Sequence, residues 1–195
     1  MQFETTINRW HTSPAAGPIN ASNPCSEYLH IDNSACNLAS LNLLGFLGDD
    51  DQFDVEGFRA ACQIMITAQE ILVGHSSYPT DKIGENTRRY RQLGLGYTNL
   101  GALLMATGKA YDSDEGRGAA AGITALMCGE AYATSARISK RMGPYAGFAD
   151  DRDSMLGVLD MHRQAAAGLD RSHICLLYTS PSPRDATLSR MPSSA

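Results

Sequence analysis

Ala21-Ser22-Asn23-Pro24-Cys25-Ser26-Glu27-Tyr28 sets an amide, a thiol and a carboxylate at alternate positions. In an extended backbone alternate side chains share a face, which predicts Asn23, Cys25 and Glu27 on one side of the chain. Pro24 favours that conformation, because its ring fixes its own φ and its Cδ keeps Asn23 out of the helical region. The three groups then span roughly 13 Å, at about 3.3 Å per residue. That suits the edge of a sugar ring. They offer a hydrogen-bonding amide, a redox-capable sulfur and a general base, and the pattern needs no metal.

Outward from this stretch, Pro14, Gly17 and Pro18 mark a loop before it, and Ile7 and Trp10 sit at helical spacing before the loop. Tyr28 to Asp32 continues it with partly alternating apolar residues. Cys36 to Leu43 fits a short buried strand or a helical turn, and we take the strand. From Asp54 the period is clearly helical: Phe58, Cys62, Met65, Ile66, Gln69, Leu72 and Val73 form one stripe, with Asp54 as cap and Gly74 as stop. Asp81 to Tyr90 is charged and reads as a surface approach. In Arg91-Gln92-Leu93-Gly94-Leu95-Gly96-Tyr97 a phosphate loop fails, because Asn99 stands where the third glycine of G-x-G-x-x-G belongs. Close packing explains Gly94 and Gly96 better, and a helix follows to about Thr107. Asp112, with Glu115 three residues on, starts another helix, with Ile123, Leu126, Met127, Ala131, Thr134 and Ile138 inward. Gly143-Pro144 ends it. A last helix begins at Asp150, with Met155, Val158, Leu159 and His162 on one face and Gly168 as its stop. The expectation is an α/β chain that is mostly helical with a few short strands.

Asn-x-Cys-x-Glu within ASNPCSEY, followed by NSACNLASLNL, closely resembles the active-site finger loop of ribonucleotide reductases, and the adenosylcobalamin-dependent class II enzymes above all. Residues 91–97 resemble the RPLGLGY stretch of the same family. The resemblance implies part of a ten-stranded α/β barrel and reduction of ribonucleotides, diphosphates by preference, to 2′-deoxyribonucleotides. It implies that Cys25 becomes a thiyl radical that removes the ribose 3′ hydrogen. Glu27 takes the 3′ hydroxyl proton, and Asn23, with Ser22 beside it, binds the substrate hydroxyls. Cys36, eleven residues after Cys25, falls where the family carries one member of its redox-active disulfide. The other member lies on an upstream strand. Adenosylcobalamin is the implied cofactor, a thioredoxin-type protein the implied reductant, and a homodimer possible at full length. Ser13 departs from the cysteine that some relatives carry.

Composition suits a soluble globular protein. With 195 residues, 43% of them hydrophobic, the chain can bury a core. A net charge of −5 without any basic run argues against nucleic acid, and no apolar run reaches a membrane span. A cytoplasmic setting is expected. The final stretch, Cys175 to Ala195, reads differently. CLLYTSPSPRD and LSRMPSSA are two halves, in order and in frame, of a translated library-preparation adapter, with Ala186 and Thr187 in the index between them. Residues 1–174 are therefore expected to be a piece of a catalytic barrel domain, and 175–195 a non-native, disordered tail.

Two rival chemistries use the same residues. Cys25, His30 and Cys36 could be zinc ligands in a small structural or interaction module, but no C-x-x-C accompanies them. Cys25 could instead be a hydrolase nucleophile with His30 or His75 as base. Cys62 and Cys128 lie on or beside apolar helix faces, where a free cysteine is a small hydrophobe. His162, on a helix stripe, is read as a core histidine.

Overall fold

The structure is a computed structural model that describes residues 3–24, 26 and 28–170. The expectations placed on Cys25, Glu27 and residues 175–195 lie outside the described residues. The elements run α1 (Glu4–Arg9), a 3₁₀ turn (Pro14–Ala16), β1 (Asn37–Asn42), a second 3₁₀ turn (Leu43–Phe46) and α2 (Val55–His75). They continue with α3 (Asp81–Tyr90), β2 (Leu93–Thr98), α4 (Leu100–Ala106), α5 (Asp114–Met142) and α6 (Phe148–Ala167). The expected mostly helical α/β chain is what forms, with two strands among the described residues in one unclosed sheet. Gly94 lies beside residues 36–38 and Gly96 beside Ser40, so both numbers rise together and the pair is parallel. No described helix is long and apolar enough to cross a membrane.

Local chemistry sets the helix starts. The Asp54 carboxylate accepts from the Gly57 amide at 2.9 Å and caps α2 as expected. The helix runs one residue past Gly74, and Leu72 is 51% exposed, so it leaves the inward stripe. The start of α5 differs from the reading too. The hydroxyl of Ser113, not Asp112, accepts from the Gly116 amide at 3.0 Å, while Asp112 pairs with Arg117. At its other end Gly143 takes φ +85, the left-handed stop that glycine allows.

Asp81 to Tyr90, read from its charge as a surface approach, forms α3, and all of it but Gly84 and Thr87 is exposed or half-buried. Thr80 caps it, accepting from the Ile83 amide at 3.3 Å, and Asp81 opens it while Arg88 and Arg89 close it, each sign matching the helix dipole. Its inward positions are the small residues Gly84 and Thr87, which carry no hydrophobic period.

The chain divides into two compact units. One draws on Met1–Leu38, Ala68–Gly94 and Ser139–Gln164, the other on Ala39–Thr67, Leu95–Ile138 and Ala165–Ala195. The second holds the main apolar cluster, with Leu43, Phe58, Cys62, Leu103 and Ile123 fully enclosed. The rings of Phe46 and Phe53 meet Phe58 edge-on at 5.2 and 5.4 Å, a favoured aromatic geometry. Also buried there is Glu130, which accepts from Arg59 at 3.1 Å, Gln63 at 2.9 Å and Arg137 at 2.6 Å. Burial works against its charge, but Arg137, Arg59 and Gln63 outweigh that and hold the carboxyl below its ordinary range. Sequence periodicity had no place for this charged residue on the inner face of α5.

Candidate active site

The motif loop belongs to the first unit, and its frame is built from hydrogen bonds between its own ends. Asn8 fastens the approach: its side chain accepts from the Ile19 amide at 2.9 Å and donates to the Ile19 carbonyl at 3.1 Å. Further on, the Asn23 amide donates to the Tyr28 carbonyl at 3.3 Å, and the Tyr28 amide donates to Asn23 Oδ1 at 3.1 Å. The Ser26 amide donates to the Asn23 carbonyl at 3.1 Å, and Ser26 adopts φ +68. At Ser26 the backbone is therefore not extended, while the expectation that Asn23, Cys25 and Glu27 share one face lies outside the described residues. The backbone turns back on itself, because closing Asn23 onto Tyr28 satisfies amides that a straight run would leave to solvent. Ser22 donates its hydroxyl to the Asn23 carbonyl at 2.9 Å.

The far side of the loop is tied to α3 and the start of β2. Asn86 donates to the carbonyls of Asp32 and Asn33, and the Ala35 amide donates to Thr87 Oγ1 at 3.0 Å. Tyr28 donates to Ser34 Oγ at 2.7 Å and accepts from Gln92 Nε2 at 3.0 Å, and Gln92 also reaches the Ala35 carbonyl. Burial is the main reason the Tyr28 phenol is pushed up; Ser34 and Gln92 work against that, and a nearby Cys36 charge adds to it. Cys36 immediately precedes β1, and Gln69 of α2 holds both strands beside it, donating to the Asn37 carbonyl at 2.6 Å and the Gly94 carbonyl at 2.7 Å. The structure therefore brings Asn23, Ser22 and Cys36 into one tied assembly, within which Cys25 and Glu27 fall in sequence.

The other candidates separate from this loop's chemistry. Cys62 is fully buried and its thiol is pushed up to about 12 by burial and then by Glu130, while burial also raises Cys128. His75 is exposed at the end of α2, bonded to the Ile71 carbonyl, and His162 packs edge-on against Trp10 at 4.9 Å. Among the described residues no group of three or more His, Cys, Asp or Glu is placed to hold a metal ion.

His30 belongs to a buried polar group that its scattered sequence concealed. Its ring faces His11 at 5.7 Å, Tyr28 at 6.3 Å and Tyr90 at 6.1 Å, and its Nδ1 meets no hydrogen-bond partner among the described residues. His11 bonds the Gly17 carbonyl, and the fully buried Asp151 accepts from the Ala15 amide. Burial, with a smaller push from His11, lowers the His30 pKa to about 4. The unfolded chain takes up this proton near 6.5, so between about pH 6.5 and 4 it binds more protons than the folded one. Stability is thus expected to fall as pH drops through that window. At 1.36 kcal/mol per pH unit the full loss is about 3 kcal/mol. Urea unfolding at pH 7.5 and pH 5 should show about 2 kcal/mol of this loss in the parent chain and a clearly smaller one in His30→Phe. Equal losses in both would assign the effect to another group.

Comparison with known proteins gives the family. The family model described as "Ribonucleotide reductase, barrel domain" matches residues 1–176, and the chain belongs to that family. The chain is 53% identical over 165 residues to the "Vitamin B12-dependent ribonucleotide reductase" of Rhodopirellula baltica, which covers 85% of this chain and 16% of that protein. It is 54% identical over 169 residues to the protein of the same name from Streptomyces clavuligerus, covering 85% and 18%. The "Vitamin B12-dependent ribonucleoside-diphosphate reductase" of Mycobacterium tuberculosis is 32% identical over 155 residues, covering 80% and 22%. The chain thus spans about a sixth to a fifth of the length of these curated relatives. Nothing in the comparisons supports a zinc module.

Proposed function

We propose that this chain carries the radical and reducing thiols of a B12-dependent ribonucleotide reductase, acting on ribonucleoside diphosphates. The carrying observation is the loop closed between Asn23 and Tyr28. It fastens the backbone on both sides of Cys25 and Glu27, in a chain whose relatives carry that activity in their names.

Each residue then has a task. Asn23 Oδ1 is engaged with the Tyr28 amide, so the amide N–H is the group it chiefly offers to a substrate hydroxyl. Ser22 helps fix the Asn23 backbone. Glu27 accepts the 3′ hydroxyl proton and later returns it. Cys36 and a second thiol outside this chain each give up a hydrogen as an S–S bond forms. Their two electrons and two protons convert the 2′ C–OH of the substrate to C–H, and the oxygen leaves as water. A thioredoxin-type dithiol restores the pair.

Adenosylcobalamin, when bound, supplies a carbon-centred radical by homolysis of its cobalt–carbon bond. The donor set of the chain fits such a group. A thiol surrenders its hydrogen atom readily, and the motif loop carries one at Cys25, whereas Cys62 is enclosed in the apolar core. Residues 1–174 carry this part of the enzyme, and the full-length protein forms a homodimer in the cytoplasm.

The test is Cys36→Ser in the full-length reductase. Multiple turnovers with a dithiol protein reductant should stop, while radical formation at Cys25, followed by electron paramagnetic resonance, persists. Full turnover by this variant would make Cys36 structural. Stoichiometric zinc in the parent protein, with no reductase activity, would overturn the whole reading.

A further inference from the structure

Gly94 opens β2 directly beside Cys36. A Cβ built on Gly94 would lie 2.8 Å from the Cys36 sulfur and 3.3 Å from Leu38 Cδ1, whereas one on Gly96, two residues along the strand, would meet only Ser40 Oγ at 3.8 Å. The first is closer than side chains tolerate and the second is ordinary contact. The backbone of Gly94 cannot retreat easily, because Gln69 holds its carbonyl at 2.7 Å and the Asn37 carbonyl at 2.6 Å, spanning the two strands where the sulfur lies. Tyr28, a second neighbour of the thiol, is pinned by Ser34 and Gln92. With the strands clamped and the phenol fixed, the sulfur is what must move when a side chain appears at 94. Gly94 also has no positive φ. Backbone freedom does not explain this glycine, and the space it leaves does.

We propose that Gly94 is a positioning residue for the redox chemistry: its missing side chain is the space in which the Cys36 sulfur sits, ready to form its disulfide. The proposal rests on the reading of Cys36 as one half of the reducing pair. It adds a residue that never touches substrate and acts through the thiol alone. In the exchange written above, S–S formation needs the two sulfurs in near-attack geometry, where a displacement of about 1 Å can cost on the order of 10²-fold.

The experiment compares Gly94→Ala, Gly96→Ala, Cys36→Ser and the double variant Gly94→Ala/Cys36→Ala. In the full-length reductase, Gly94→Ala should slow disulfide formation during a single turnover by about 10–100-fold. KM should be little changed and Gly96→Ala should match the parent. In this chain, Gly94→Ala should lower the melting temperature, and adding Cys36→Ala should restore most of the loss, because the methyl then fills the space of the sulfur. If Gly94→Ala does not fold, the double variant decides. Folding restored by Cys36→Ala supports the proposal, and a double variant that also fails shows that the strand needs the glycine for itself. If Cys36→Ser blocks turnover but Gly94→Ala forms its disulfide as fast as Gly96→Ala, the proposal alone falls. If Cys36→Ser turns over fully, the reading of Cys36 fails and takes the proposal with it.

Discussion

Cys25→Ala in the full-length reductase should bring ribonucleotide reduction down to background, with the fold intact. The thiols among the described residues are placed for other tasks. Cys62 is enclosed in the apolar core of the second unit, and Cys128 lies on α5 of that unit, whereas the motif loop belongs to the first. Cys36 is committed at the start of β1, beside Gly94. The loss should not be one of stability. The bonds that close the loop run between the Asn23 and Tyr28 backbones and through the Asn23 side chain, so a methyl at 25 leaves them in place. Two measurements on one variant check this: product formed with excess dithiol, and the thermal melt. Residual reduction above background would move the radical to another sulfur. A lower melting temperature with loss of bound zinc would revive the metal site.

Glu27→Gln should lower kcat by about 10²–10⁴-fold, the range that a positioned general base contributes, while substrate binding changes little. Glutamine keeps the volume and one acceptor oxygen but cannot take a proton. Both neighbours of residue 27 are held: the Ser26 amide donates to the Asn23 carbonyl and the Tyr28 amide donates to Asn23 Oδ1. A group carried between two fixed points needs little reorganisation, so its removal should be felt in the chemical step and not in KM. The deficit should persist as pH rises, because the variant has no acid to ionise. A kcat within a few-fold of the parent would assign the proton to some other acceptor.

The sequence showed the elements whose information is local. The Asp54 cap and the Gly74 stop identify α2 within a residue of each end, and of the glycine pair in residues 91–97 Gly94 marks close packing in β2, whereas a side chain at Gly96 would meet only ordinary contact. α3 escaped because its inward face is glycine and threonine, so charge was all that showed. Glu130 escaped for a different reason: its partners Arg59 and Gln63 lie some seventy residues away on α2, and no window of sequence joins them. The buried set of His11, His30 and Asp151 comes from three separate stretches, and isolated histidines carry no period. In the motif loop the closure of the backbone was not legible. Pro24 argued for extension, and the reciprocal Asn23–Tyr28 bonding, which needs both ends of the loop at once, overrode it.

That bonding makes the separation of the two residues a matter of geometry as well as chemistry. Asn23 and Tyr28 form the rungs of a closed ring whose circumference is set by the residues between them. An inserted residue would leave one rung unable to form, and a deleted one would leave too little chain to close it. Substitutions can be absorbed at positions whose side chains point away from the chemistry, but a change of length cannot. The loop therefore works as a gauge of length: the bonds between Asn23 and Tyr28 admit only the number of residues that now lies between them.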